Sequence, residues 1–91
     1  MWETADPDGR RVVLTFAQWR HVVERHPELA SNREQILATV ADPADRRNGH
    51  EANEEWFYGR GVGPSRWIRV VVHYAQGEGS ITTAFPRRTL P

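Results

Sequence analysis

Four histidines, at positions 21, 26, 50 and 73, stand in a chain with twelve arginines, no lysine and no cysteine. With nearby Tyr and Thr hydroxyls, these are the residue types that cleave a phosphodiester without a metal. One group takes the proton from an attacking ribose 2′-hydroxyl, another protonates the leaving oxygen, and a fixed cation holds the extra charge on phosphorus. Histidine titrates near neutrality, and the arginine fork matches phosphate oxygens. His21 and Arg25 are spaced i, i+4 and share a helical face, whereas His26 lies about 140° from His21 at about 100° per residue.

Other chemistries fit poorly. No H-x-x-x-H pair or cysteine suits zinc, and the only acidic patch, Glu51, Glu54 and Glu55, reads as a solvated loop. No G-x-x-x-x-G-K-[ST] or G-x-S-x-G occurs, and Gly59-Arg60-Gly61-Val62-Gly63 reads as a turn because no helix follows it. No cofactor and no metal are implied.

The elements that must position these residues follow from pattern. Asp6-Pro7-Asp8-Gly9 is a turn cluster, and Arg11 to Leu14 reads as a short strand or extended lead-in. Thr15 is placed as an N-cap. Phe16, Trp19, Val22 and Val23 then mark one face of a helix that Pro27 stops near His26. Ser31 and Glu34 are spaced as a capping box for a second helix, with Ile36, Leu37 and Val40 inward and Asp42-Pro43 at its end. Three strands follow, Glu55 to Arg60, Trp67 to Tyr74 and Ser80 to Phe85, separated by glycine-rich turns. They predict an antiparallel meander.

Alternation assigns the faces. Ile68, Val70, Val72 and Tyr74 share the side that must meet the helices, and Trp67, Arg69, Val71 and His73 share the other. With Ile81, Thr83 and Phe85 inward, Thr82 joins Arg69 and His73 on the open face. With Phe57 inward, Trp56, Tyr58 and Arg60 join it as well.

Ninety-one residues bound this to one domain, 1–91, with residues 1–10 as a flexible or extended lead-in. Twelve acidic and twelve basic residues cancel, so no global field recommends a polyanion, and any nucleic-acid site must be local. No apolar run reaches the roughly 20 residues of a membrane span, and the start does not read as a signal peptide. The expected location is the cytoplasm, with no membrane partner.

Each candidate also has a structural role open to it. His21 fits a helix surface beside Glu24 and Arg25; His26 fits a helix end, where a cation meets the dipole. His73 fits an exposed strand position, His50 a polar loop, and Arg69 a stack on an aromatic ring near Trp67.

Read in order, the blocks Arg25-His26-Pro27-Glu28-Leu29, Ala41-Asp42-Pro43, Trp56-Phe57-Tyr58-Gly59-Arg60, Ile68-Arg69-Val70-Val71-Val72 and Ile81-Thr82-Thr83-Ala84-Phe85 carry a resemblance. Over about Leu14 to Arg88 the chain resembles the small phage- and toxin-associated nucleases of the barnase, EndoU, colicin and RelE (BECR) superfamily. The resemblance implies an α+β fold, two N-terminal helices packed on a small, mostly antiparallel four-stranded sheet, with the extra strand near Ala44 to Arg47. It implies a metal-independent endoribonuclease of toxin or phage type that leaves a cyclic phosphate. The implied catalytic residues are His21, Arg25, His26, Tyr58, Thr82 and Thr83, with Arg60, Arg69 and His73 at the substrate phosphate. Within that set His26 is general acid or base, His21 its partner and Thr83 a hydroxyl donor. The implied partners are RNA, tRNA or mRNA, and a cognate antitoxin or immunity protein over the open face.

Two readings from other classes use the same residues. In one, Trp56, Tyr58 and Trp67 form an aromatic patch for a protein partner or for dimerisation, without catalysis. In the other, the Arg and His groups handle a small phosphorylated ligand.

Overall fold

The computed structural model describes residues 1–61 and 65–90. Val62, Gly63 and Pro64, read above as part of a glycine-rich turn, lie outside the described residues. The chain runs β1 (Trp2–Ala5), β2 (Arg11–Leu14), α1 (Phe16–Arg25), a 3₁₀ turn (Pro27–Leu29), α2 (Arg33–Ala41), β3 (Asp45–Asn48), β4 (Glu54–Arg60), β5 (Trp67–Ala75) and β6 (Glu78–Arg87). The six strands of the described residues form one sheet in the order β1-β2-β6-β5-β4-β3.

This corrects the expected architecture while leaving it α+β. The sheet has six strands rather than four, and two of them precede the helices. It is also mixed, because β2 runs parallel to β6, pairing Val12 with Gly79 and Val13 with Ser80. Residues 1–10 are thus a paired strand and a turn. Val12 and Leu14 are fully buried in the core, and Trp2 packs against it together with Trp19. Gly79 lets the parallel strand come close, since a Cβ there would sit 3.0 Å from Val12 Cγ2 and 2.8 Å from Val72 Cγ1.

The helix ends follow mostly from local chemistry. Thr15 Oγ1 accepts from the Gln18 backbone N–H at 3.1 Å, as an N-cap does. His26 closes α1 with its N–H on the Val22 carbonyl, and Pro27 begins the 3₁₀ turn. The capping box expected at Ser31 does not form. The N-cap of α2 is Asn32, whose side chain donates to Gln35 Oε1 instead.

The helices cover one face of the sheet, where Val22, Leu29, Ile36, Val40, Phe57, Ile68, Val70 and Val72 are fully buried. Beyond the helices that face is closed by charge. The Asp6 carboxylate, fully buried, accepts from Tyr74 Oη at 2.7 Å, from the backbone N–H of Asp8 and Arg10 at 2.9 Å, and from Arg10 Nε at 2.9 Å. Arg10 Nη2 reaches Glu55 at 2.8 Å, and Arg46 bridges Glu55 and Asp8 at 2.8 and 2.9 Å. The turn between β1 and β2 is thereby tied to β3, β4 and β5. No helix of the described residues is long and apolar enough to cross a membrane.

Candidate functional site

The open face is organised by register. Trp56, Val71 and Thr83 form one row across β4, β5 and β6; Tyr58, Arg69 and Phe85 form the next, and Arg60, Trp67 and Arg87 a third. Glu54, His73 and Ser80 form a row on the far side of the first. Rows are about 6.6 Å apart, two residues of strand.

A bulge decides which side β6 presents. Val71 pairs with Thr83 but Val72 pairs with Ile81, so Thr82 is an extra residue. Simple alternation places Thr83 and Phe85 toward the helices; the bulge puts them in rows with Val71 and Arg69, and Ala84 enters the core instead. Thr82 spends its hydroxyl on the Val71 carbonyl at 3.3 Å.

Arg69 is the centre of this face. It is 7% exposed, and its guanidinium carbon lies 3.8 Å above the Trp56 ring, 5.4 Å from Tyr58 and 5.3 Å from Phe85. Its Nε donates to the Tyr58 hydroxyl at 2.8 Å. Among the described residues no carboxylate pairs with it, unlike Arg10, Arg11, Arg33, Arg46 and Arg47, each of which has one. Arg33 Nε is the one buried side-chain nitrogen or oxygen without a hydrogen bond among the described residues, so the terminal nitrogens of Arg69 keep contact with solvent. Burial without a counter-ion is costly for a charge unless π faces and hydrogen bonds offset it, and an anion at the outer nitrogens would add to that offset.

His26 joins this centre from the end of α1. Its ring lies 5.9 Å from that of Phe85, tilted by 32°, and its Nδ1 is 3.9 Å from the Glu28 carboxylate. On the other flank His50 packs edge-on to Trp56 at 4.7 Å, while Glu54 accepts from Trp56 Nε1 and from the His50 backbone N–H, both at 3.0 Å. His50, Trp56, Arg69, Phe85 and His26 therefore form a chain of neighbouring planar groups.

The structure brings His26, Tyr58, Arg69 and Thr83 onto one region of the open face. Tyr58 is fully buried beneath Arg69 and serves as its hydrogen-bond acceptor. Arg60, exposed at the end of β4, lies 4.8 Å over the Trp67 ring. His73 is exposed in its own row, two rows from Arg69. Among the described residues no hydrogen bond, ion pair or ring contact links His21 or Arg25 to His26 or Arg69. Phe85 was missed because period-two alternation puts it in the core, and nothing in Ile81-Thr82-Thr83-Ala84 marks the bulge.

Of the three rings of an aromatic patch, Trp56 is 9% and Tyr58 0% exposed and Trp67 is half-buried, while among the described residues the exposed large apolar side chains are Met1 and Phe16. Among the described residues no group of three His, Cys, Asp or Glu is placed to hold a metal. No family model, no curated protein and no solved structure matches the chain.

Proposed function

We propose that the open face around Arg69 and His26 cleaves RNA without a metal. The observation that carries this is Arg69, a buried guanidinium clamped among aromatic rings, with its Nε spent on Tyr58 and no carboxylate among the described residues to neutralise it. Such a fork is pre-organised for a phosphate that arrives from solvent.

In this reading the ribose 2′-oxygen attacks the adjacent phosphorus, the bond from phosphorus to the 5′-oxygen breaks, and a 2′,3′-cyclic phosphate and a 5′-hydroxyl result. His26 takes the 2′-proton, Arg69 holds the non-bridging oxygens as charge builds on them, and the Thr83 hydroxyl adds a neutral donor one row away. The leaving oxygen takes its proton from water. The resemblance of the block order to the BECR nucleases supports the parts of His26, Arg69 and Thr83, while this reading gives no part to His21. An RNA substrate and a chain without cysteine are compatible with action in the cytoplasm.

The test is cleavage of total RNA in excess chelator by wild type, His26→Ala and Arg69→Ala proteins matched for folding by circular dichroism. Cleavage by wild type with cyclic phosphate ends, reduced about 10²-fold or more in both variants, is the expected result. A folded wild-type protein that leaves RNA intact would sink the reading.

A further inference from the structure

The arginines divide by place in the fold. Those that pair with carboxylates belong to the β1–β2 turn, β2, the start of α2 and β3, whereas Arg20 and Arg25 on α1 and Arg60, Arg66, Arg69, Arg87 and Arg88 have no carboxylate partner among the described residues. The last five gather where β4 ends, β5 begins and β6 ends. A chain of zero formal net charge thus carries a cationic rim at one end of the sheet, of which Arg60, Arg69 and Arg87 stand in rows of the open face.

Trp67 lies inside that rim. The register sets it between Arg60 on β4 and Arg87 on β6, with the Arg60 guanidinium 4.8 Å from its ring centre. Adjacent strands are about 4.8 Å apart, so the two cations flank the indole about 10 Å from each other at the backbone. Along β5 the next residue on the same face is Arg69. An indole between two arginines with no carboxylate partner among the described residues, one row from a buried arginine, is the pairing of stacking platform and backbone contacts that holds an unpaired strand. A duplex keeps its bases stacked inside and cannot present one to a sheet surface.

We propose that Trp67, Arg60 and Arg87 form a subsite for single-stranded RNA, in which one base lies against Trp67 while Arg60 and Arg87 hold the backbone next to the phosphate at Arg69. The inference rests on the ribonuclease reading for the identity of the polymer, and binding tests it apart from cleavage.

The experiment uses a labelled 2′-O-methyl oligonucleotide, which lacks the attacking hydroxyl, and the duplex of the same sequence, with fluorescence anisotropy as readout. The single strand is expected to bind at least about tenfold tighter than the duplex, and Trp67→Leu to weaken it about tenfold. Because Trp67 is half-buried, a second variant guards against misfolding. Arg60→Gln with Arg87→Gln should make the plot of log affinity against log salt shallower by about 1.4, at about 0.7 per phosphate contact on a single strand. Equal binding of duplex, an unchanged salt slope, or no binding by wild type overturns the subsite. Cleavage of the ribose oligonucleotide is followed in parallel. Binding with these properties but without cleavage supports the subsite and removes the ribonuclease reading, whereas cleavage without them does the reverse.

Discussion

The Tyr58 hydroxyl accepts the Arg69 Nε–H at 2.8 Å in a place that solvent barely reaches, with Tyr58 fully buried and Arg69 7% exposed. The phenol thus fixes one edge of the guanidinium and leaves the outer edge for a ligand.

Tyr58→Phe leaves that buried N–H without an acceptor, and should cost about 1–3 kcal/mol in urea unfolding. Adding Arg69→Met removes the orphaned donor while keeping bulk against Trp56, so the double variant should recover most of the loss. Cleavage should be lost in the double variant. A double variant no more stable than Tyr58→Phe would show that the pair is not coupled.

The bulge separates two neighbouring hydroxyls by role. Thr83 stands in the row beside Arg69, and Thr83→Val should lower cleavage at least about tenfold, the loss of one hydrogen bond in the transition state. Thr82 already donates to Val71 at 3.3 Å, so Thr82→Val should register in stability, at about 1 kcal/mol or less, rather than in cleavage. The opposite ranking of the two variants would place the site elsewhere.

Acid should loosen the N-terminal turn. Burial alone would raise the Asp6 pKa, but hydrogen bonds from Tyr74 and from the Arg10 backbone, with the Arg10 charge, outweigh it and hold it below the ordinary 3.8. A lowered folded value means the unfolded chain binds the proton first, so this contribution to stability is complete above pH 3.8 and vanishes as pH falls through the lower folded value. Asp6→Asn should flatten that part of a stability profile measured by urea unfolding from neutral pH down to about pH 2.5. Tyr74, raised by burial and by its bond to Asp6, acts at the other end, its contribution present below pH 10.0 and lost as pH rises through its higher folded value.

Gly59 lets α2 lie against β4. A Cβ there would collide with Thr39 Oγ1, a hydroxyl that donates to the Gln35 carbonyl at 2.8 Å. Gly59→Ala should therefore cost about 1–3 kcal/mol from overpacking. Thr39→Ala in the same chain should return part of it, because the new methyl then meets only the Thr39 Cβ position at 3.2 Å. Additive losses in the double variant would refute the collision.

What depends on neighbours along the chain was legible in the residues themselves. The 3.6-residue spacing of Phe16, Trp19, Val22 and Val23 and the stop at Pro27 gave α1, and strict alternation from Ile68 to Tyr74 gave both faces of β5. It also put Tyr58 and Arg69 on the open face, since each flanks an inward residue, Phe57 and Ile68. Tertiary structure alone decided the rest. The parallel pairing of β2 with β6 joins residues 67 positions apart, and no local pattern encodes which distant edge a short apolar strand will find. The bulge at Thr82 turned Thr83 and Phe85 outward against their alternation, because register answers to the partner strand as well as to hydrophobicity. Whether an arginine is paired or free is likewise a matter of which carboxylates the fold brings near. Arg10 and Arg46 found Glu55, and Arg69 found aromatic rings and a phenol.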